Sequence, residues 1–183
     1  MRLFVAIDLP EEVLDALEEF SKSLRKVAAL QWSGRESFHI TTKFIGEWSD
    51  SGLGELERTL RSLPARPPIA IAVRGLGFFP KDRQPRILWA GVEAGPELAA
   101  LARDTDAEAS VLGVTTEPRS YSPHITLARI KDNPPLEGLR EAIRVAGPRE
   151  FGSFTATSFA LYRSRPGPAG SVYTKLSEYP FHS

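Results

Sequence analysis

The tripeptide His-Ile-Thr occurs twice in this chain of 183 residues, at positions 39–41 and 124–126. The chain has only three histidines and ten threonines, so a given histidine has about one chance in twenty of a threonine two residues later. Both copies lie in apolar, β-branched sequence that is typical of a strand. Copies separated by 85 residues favour two related lobes, each presenting one motif.

Strand geometry decides where these side chains project. Residues i and i+2 of a strand point to the same face, about 6.6 Å apart along the chain. His39 and Thr41 therefore share one face, as do His124 and Thr126, while their apolar neighbours share the other. Because the apolar face packs into the core, we expect each imidazole and its hydroxyl to face a cleft.

Two facing imidazoles and two hydroxyls suit the opening of a cyclic phosphodiester. The reaction needs a base that deprotonates water and an acid that protonates the leaving ribose oxygen. An unperturbed imidazole pKa of about 6.5 allows one ring to be neutral and the other protonated near neutral pH. The hydroxyls of Thr41 and Thr126 would donate to the phosphoryl oxygens, where charge builds up. We expect neither a metal ion nor a cofactor.

Other interpretations stay open at this point. A single His-x-Thr in a strand is more often a packed polar pair than a site. A zinc ion wants three or four protein ligands, yet neither motif has a carboxylate or another histidine nearby in sequence. His182 is the only other histidine, and we expect it on the surface.

Composition narrows the classes of function. The absence of cysteine excludes disulfides, thiolate nucleophiles and cysteine-based metal sites. With 23 basic and 23 acidic residues the formal net charge is zero, so any contact with RNA should be local, at an end, rather than along a long groove. The first residues favour a buried strand over a signal peptide, and no apolar run approaches the roughly 20 residues of a membrane span. We therefore expect a cytoplasmic protein without a membrane partner.

Strand and helix patterns are interleaved, and hairpin-like turns join many strands, which predicts an α+β fold with mainly antiparallel sheets. No linker is long enough to separate independent domains, so residues 1–183 are expected to form a single two-lobed domain. The pattern predicts strands over 1–8, 38–45, 69–77, 86–92, 124–130, 154–162 and 171–176, helices over 10–30, 51–63, 95–112 and 136–145, and polar loops over 80–85 and 164–170.

Beyond the tripeptides, several segments resemble one branch of the two-histidine phosphoesterase superfamily in order and spacing. That branch is the RNA 2′,3′-cyclic phosphodiesterases, also called 2′-5′ RNA ligases. The similarity covers nearly the whole chain, and the segments that carry it are Arg2–Ile7, Phe38–Gly46, Gly77–Pro80, Ile87–Val92, Pro123–Arg129, Leu161–Ser164 and Gly170–Tyr173.

The resemblance implies two antiparallel lobes backed by helices, with the motifs facing each other across a V-shaped cleft. It assigns His124 as the proton acceptor for water and His39 as the proton donor for the leaving 3′-oxygen. Arg129 occupies the family's phosphate-contacting position. The partners would be RNA ends or nucleotides bearing a 2′,3′-cyclic phosphate, the product a 2′-phosphomonoester, and the reverse reaction a 2′-5′ ligation. We expect a monomer.

Strict alternation complicates two of these positions. It places Arg129 on the face opposite His124, unless a bulge or the strand end turns the side chain inward. It places Lys43 on the His39 face, where a second positive charge would be available. Thr42 and Tyr121 depart from the family's common leucine and phenylalanine, which bears only on packing and base contact.

Base recognition and substrate class are less constrained. The aromatic candidates for stacking on a base are Phe78, Phe79, Trp32 and Tyr162. One alternative is a module that binds RNA ends without cleaving them, although two histidines favour catalysis because simple phosphate binding prefers permanent charge. Another is a phosphodiesterase for a different small cyclic nucleotide.

Overall fold

The computed structural model describes residues 1–81 and 84–182, so Asp82 and Arg83 of the predicted loop 80–85 lie outside the described residues. Within those ranges the helices are α1 (Glu11–Arg25), α2 (Leu53–Arg61), α3 (Pro96–Val111) and α4 (Glu137–Ala146). The strands are β1 (Arg2–Ile7), β2 (Gln31–Trp32), β3 (Ile40–Glu47), β4 (Ile69–Phe79), β5 (Ile87–Ala94), β6 (His124–Arg129), β7 (Glu150–Ala156), β8 (Ser158–Gly167) and β9 (Gly170–Pro180).

The strands form two antiparallel sheets, which confirms the predicted α+β class. The first sheet has the order β3-β1-β8-β9 and the second the order β2-β6-β5-β4-β7. Each sheet holds one His-Ile-Thr motif: His39 directly precedes β3, and His124 is the first residue of β6. The two-lobed arrangement expected from the repeat is therefore present, with one motif strand in each lobe.

Alternation along β1 shows how one strand serves both the core and the cleft. Leu3, Val5 and Ile7 are at most 1% exposed and pack in the hydrophobic core beneath the first sheet. Phe4 lies on the other face, where its ring stacks on His39. The strand thus contributes the core with one face and part of the site with the other.

The helices cross between the lobes. α1 follows β1 of the first sheet but packs against β7 of the second, and α3 follows β5 of the second sheet but packs against β3 of the first. Buried residues recur along α1 at helical spacing, among them Val13, Leu17 and Leu24. Because each lobe is covered partly by a helix that follows a strand of the other, the lobes share one continuous core.

Three predicted boundaries were wrong. The loop expected over 164–170 is reduced to Pro168 and Ala169, because β8 continues to Gly167 and β9 begins at Gly170. The strand expected over 154–162 is two strands separated at Thr157, because β7 pairs with β4 in the second sheet while β8 pairs with β1 in the first. Helix α1 ends at Arg25 rather than near residue 30, and Val27 is exposed. Beyond it the Ala28 carbonyl accepts hydrogen bonds from the Leu30 amide and the Trp32 indole as the chain enters β2.

Candidate active site

The two motifs lie side by side although 85 residues separate them in the chain. Strands β3 and β6 approach each other, and the Tyr121 hydroxyl donates a 2.8 Å hydrogen bond to the carbonyl of Thr41. His124 is close enough for its charge to lower the pKa of His39. Both imidazoles are partly exposed, so a ligand can reach them.

Each histidine is oriented in the same way. Nδ1 of His39 lies 2.7 Å from the Ser37 carbonyl oxygen, and Nδ1 of His124 lies 2.9 Å from the Ser122 carbonyl oxygen. A carbonyl only accepts, so Nδ1 carries a proton in both rings and Nε2 is left for proton transfer. A serine two residues before each histidine was a further repeat in the sequence that could have predicted this contact.

The threonines stand beside their histidines, as alternation predicts. The Thr41 hydroxyl lies 2.9 Å from Nε2 of His39, and Thr126 projects from the same face of β6 as His124. Both side chains are partly exposed. Each lobe therefore presents an imidazole Nε2 and a hydroxyl that can meet neighbouring oxygens of one phosphate.

A bulge follows each threonine and overturns simple alternation. In β3, Thr42 is an extra residue between the partners of Val5 and Ala6. In β6, Leu127 is extra between the partners of Leu88 and Trp89. A bulge reverses the facing of every residue after it. Arg129 therefore lies on the same face as His124 and Thr126, where it is exposed.

The bulge at Thr42 of β3 makes the expectation that Lys43 faces the cleft wrong. Lys43 points into the protein, with its side chain 6% exposed, and its ammonium lies 2.6 Å from an Asp106 carboxylate oxygen and 2.7 Å from the Thr115 carbonyl oxygen. The cleft-facing place belongs to Phe44, which is 66% exposed and lies 6.5 Å from the ring of Phe4. Sequence reasoning missed Phe44 because the bulge cannot be seen in the period of the strand.

His39 sits in an aromatic environment. Its ring stacks on Phe4 at 4.8 Å and meets the edge of Tyr173 at 5.2 Å. Burial lowers the pKa of His39 to about 4, against smaller opposing effects of the Ser37 hydrogen bond and the Asp8 charge. In the free protein at neutral pH this imidazole is therefore neutral.

His124 is packed against aromatic rings of the second sheet. Phe79 meets it edge to face at 5.3 Å, and Trp89 lies 5.3 Å from Phe79. A Cβ at Gly77 would come within 2.1 Å of the Trp89 ring, so only glycine leaves room for this stack. The second lobe thus supports its histidine with rings, as the first does.

Of the four aromatic candidates for base contact, two reach the cleft. Phe79 contacts His124, and Tyr162 stacks on Phe4 at 5.4 Å. Phe78 lies on the opposite face of β4, where the guanidinium of Arg140 covers it at 4.7 Å. The indole of Trp32 donates to the Ala28 carbonyl and packs against the core.

A pocket of about 220 Å³ opens beside His39. Asp8 lies in its wall, where it accepts a hydrogen bond from the Tyr162 hydroxyl and lies 2.6 Å from the Lys175 ammonium. Further lining residues are Arg35, Glu36, Phe38, Leu9, Leu14 and Tyr173. The pocket gives the cleft a recess with charged and apolar walls on the side of the first histidine.

His182 is exposed, as expected, and is bridged to Arg66 through the backbone. Across residues 1–81 and 84–182, no three histidine or acidic side chains are grouped as potential metal ligands. In the same ranges no helix is long and apolar enough to cross a membrane.

Comparison with known proteins agrees with the duplicated geometry. The family model for LigT-like phosphoesterases matches the chain twice, over residues 7–89 and 91–173. A protein of Methanothermobacter thermautotrophicus named RNA 2′,3′-cyclic phosphodiesterase is 33% identical over 181 residues, 98% of each chain. One of the same name from Thermotoga maritima is 33% identical over 99% of this chain and 96% of its own.

Solved structures share the architecture. A crystal structure of a Thermus thermophilus protein superposes with a TM-score of 0.84 at 31% identity, covering 99% of this chain and 98% of that one. Escherichia coli LigT complexed with 3′-AMP has a TM-score of 0.79 at 24% identity over 100% of this chain and 98% of its own, a likeness of fold. Since the family model covers both halves, each with its own His-Ile-Thr strand, this chain belongs to the LigT-like phosphoesterases.

Proposed function

We propose that the protein is a hydrolase that opens the 2′,3′-cyclic phosphodiester ends of RNA or nucleotides to 2′-phosphomonoesters. The observation that carries the proposal is the pair of imidazoles on the two approaching strands β3 and β6, each with Nδ1 held by a backbone carbonyl so that Nε2 is left for proton transfer. Full-length relatives at 32–33% identity bear the name of this activity.

The two histidines divide the proton transfers. Nε2 of His124 accepts a proton from water as the water oxygen attacks phosphorus. The bond between phosphorus and the ribose 3′-oxygen breaks, and Nε2–H of His39 donates a proton to that oxygen. Each transfer of this kind contributes about 10²–10⁴-fold.

The low pKa of His39 makes its role as proton donor depend on substrate. An opposite charge within about 4–6 Å favours the protonated imidazole. The anionic phosphodiester therefore raises the pKa of His39 from about 4 when it binds. His39 therefore takes up the proton needed by the leaving oxygen from solvent when the substrate binds, and does not hold it in the free protein.

The remaining site residues hold the substrate. The hydroxyls of Thr41 and Thr126 donate to the non-bridging oxygens, and the guanidinium of Arg129 pairs with the phosphate charge. Phe44, two-thirds exposed on the cleft face of β3, offers a stacking surface for a base.

No step needs a metal ion or a cofactor. If the reaction runs in reverse, the same groups would join a cyclic end to a 5′-hydroxyl. The binding partner is an RNA end or nucleotide, the protein acts as a monomer of one two-lobed domain, and its location is the cytoplasm.

Product analysis tests the proposal. Purified protein in EDTA should convert 2′,3′-cyclic AMP and a cyclic-ended oligonucleotide into 2′-phosphates, separated from 3′-phosphates by chromatography. Loss of turnover on chelation, or 3′-phosphate as the sole product, would contradict it. Tight binding of the oligonucleotide without turnover would instead support a module that only binds RNA ends, and turnover of a different small cyclic nucleotide alone would change the substrate class.

A further inference from the structure

The segment that leads into the second motif is fixed to the strand of the first. After α3, residues 112–123 run back toward β6, and Lys43 of β3 holds this segment through the Thr115 carbonyl at 2.7 Å. Lys43 also binds Asp106 of α3 at 2.6 Å, and the same Asp106 oxygen accepts a 3.1 Å hydrogen bond from the Glu117 amide. One buried ammonium therefore organises both ends of the turn that leaves α3.

A second contact between this segment and β3 is made by Tyr121, three residues before His124. The Tyr121 hydroxyl donates at 2.8 Å to the carbonyl of Thr41, two residues after His39. The tyrosine is partly buried, and burial raises the pKa of its hydroxyl, which keeps it protonated as a donor. The backbone of one motif is thus joined to the approach of the other by a single side chain.

We infer that Lys43 and Tyr121 are positioning residues that set the separation of the two imidazoles. The inference rests on the proposed function, in which both rings must reach one phosphorus. A misplacement of about 1 Å at such a site can cost about 10²-fold in rate. The bulge at Thr42 makes this possible, because it turns Lys43 from the cleft toward α3.

Stability alone does not account for the buried lysine. A buried ion pair is often no more stabilising than an apolar pair of similar volume, although removing one partner is costly. Arg66 offers a matched control. Its side chain is 5% exposed, and it pairs at 2.8 Å with Asp104 of α3, the helix that also carries Asp106. Neither Arg66 nor Asp104 contacts the motif strands through the hydrogen bonds that they make in the described residues.

The kinetic experiment measures kcat and KM for 2′,3′-cyclic AMP in the wild type and in four variants. The variants are Lys43→Met, Tyr121→Phe, the double variant of these two, and Arg66→Met. The temperature is one at which circular dichroism shows each protein to be folded. Lys43→Met should lower kcat by about 10–100-fold with KM changed less than about threefold, and Tyr121→Phe should lower it by about 3–10-fold. The fold loss of kcat in the double variant should be smaller than the product of the fold losses in the two single variants. Arg66→Met should keep the wild-type kcat, whatever it loses in melting temperature. Wild-type kcat in folded Lys43→Met, or an equal loss in Arg66→Met, would overturn the inference.

A second measurement does not depend on activity. The chain has no cysteine, so spin labels can be placed at Val172→Cys on β9 and Ser153→Cys on β7, both exposed and on different sheets. Pulsed electron resonance should give a narrow distance distribution in the labelled protein and with Arg66→Met added, and a broadened or shifted one with Lys43→Met added. An unchanged distribution with Lys43→Met would refute the positioning role. If the wild type failed to turn over any cyclic phosphate, the proposed function would fail while this distance test still decided the inference.

Discussion

The same tripeptide occurs in both lobes, as His39–Thr41 leading into β3 and as His124–Thr126 at the start of β6, and the two strands then diverge. In both, the histidine Nδ1 meets the carbonyl of a serine two residues earlier, a threonine follows, and a bulge comes next. Beyond the bulge, β3 has the buried Lys43 and the exposed Phe44, whereas β6 has the buried Ala128 and the exposed Arg129.

The difference separates two tasks. In the proposed reaction the shared part supplies the proton transfers and the contacts to phosphate oxygens, and two copies are needed because two imidazoles act on opposite oxygens of one phosphorus. The divergent part would then face the groups around that phosphorus. An aromatic ring on one side suits a base and a guanidinium on the other suits charge. We therefore propose that the two lobes make equivalent contributions to the chemistry and different contributions to substrate recognition.

The largest effect is expected from the histidines themselves. His39→Ala and His124→Ala should each lower kcat by about 10²–10⁴-fold, because each removes one proton-transfer group. Turnover of 2′,3′-cyclic AMP in EDTA measures both, with His182→Ala as the control because that side chain is exposed and belongs to neither motif. Equal losses would support equivalent lobes, and a wild-type rate in either variant would remove that histidine from the mechanism.

Substitutions of Arg129 and Phe44, the exposed residues after the two bulges, should have different kinds of effect on turnover. Arg129→Ala should lower kcat/KM by about 10–150-fold on any cyclic phosphate, since it removes a charged hydrogen bond worth about 1.5–3 kcal/mol. Phe44→Ala should raise KM by about 5–150-fold for nucleotides, given about 1–3 kcal/mol for stacking on a base. Ribose 2′,3′-cyclic phosphate, which has no base, separates them. If Phe44→Ala weakened turnover of this substrate as much as that of the nucleotide, the assignment to stacking would be wrong.

Stability should depend on pH through His39. Its pKa is about 4 in the folded protein and about 6.5 when unfolded, so the unfolded chain binds more protons between these values. The free energy of unfolding should therefore fall as the pH drops from about 6.5 to about 4, by at most roughly 3 kcal/mol from this group. Denaturant titrations of wild type and His39→Gln at both pH values measure it. An identical pH dependence in the two proteins would show that folding does not lower the pKa of His39.

The smallest catalytic effect is expected from the threonines. Thr41→Val and Thr126→Val each remove one neutral hydroxyl donor, worth about 0.5–1.5 kcal/mol, so kcat should fall by about 2–15-fold. Thr41→Val should also alter the pH profile of kcat, because its hydroxyl lies 2.9 Å from Nε2 of His39. Thr41→Ser and Thr126→Ser, which keep the hydroxyl, should stay near the wild-type rate, and serine variants as slow as the valine ones would point to packing instead.

The sequence predicts the fold class and the facing of the motif threonines because both depend on local periodicity. Interleaved strand and helix patterns indicate an α+β chain, and His39 with Thr41 needs only the two-residue repeat of a strand. The repeat of His-Ile-Thr also predicts two lobes. The family model, which matches each half separately, agrees.

Features that depend on contacts between distant parts of the chain could not be predicted from the period of the apolar residues. An extra residue such as Thr42 leaves no mark in the apolar pattern, so Lys43 was placed in the cleft and Phe44 was overlooked. The partner of Lys43 is Asp106, 63 residues away on a helix that follows a strand of the other lobe. The break at Thr157 arises because neighbouring residues join different sheets, which depends on pairing with strands far away in the chain.

The most direct test of the two-lobed site is nuclear magnetic resonance of the histidine side-chain nitrogens during a titration with 2′-AMP. If both imidazoles meet one phosphate, the Nε2 signals of His39 and His124 should shift along the same saturation curve, with His39 gaining a proton as the ligand binds. The signal of His182 should stay in place. A shift confined to one of the two motif histidines, or two curves with different midpoints, would contradict a single shared site.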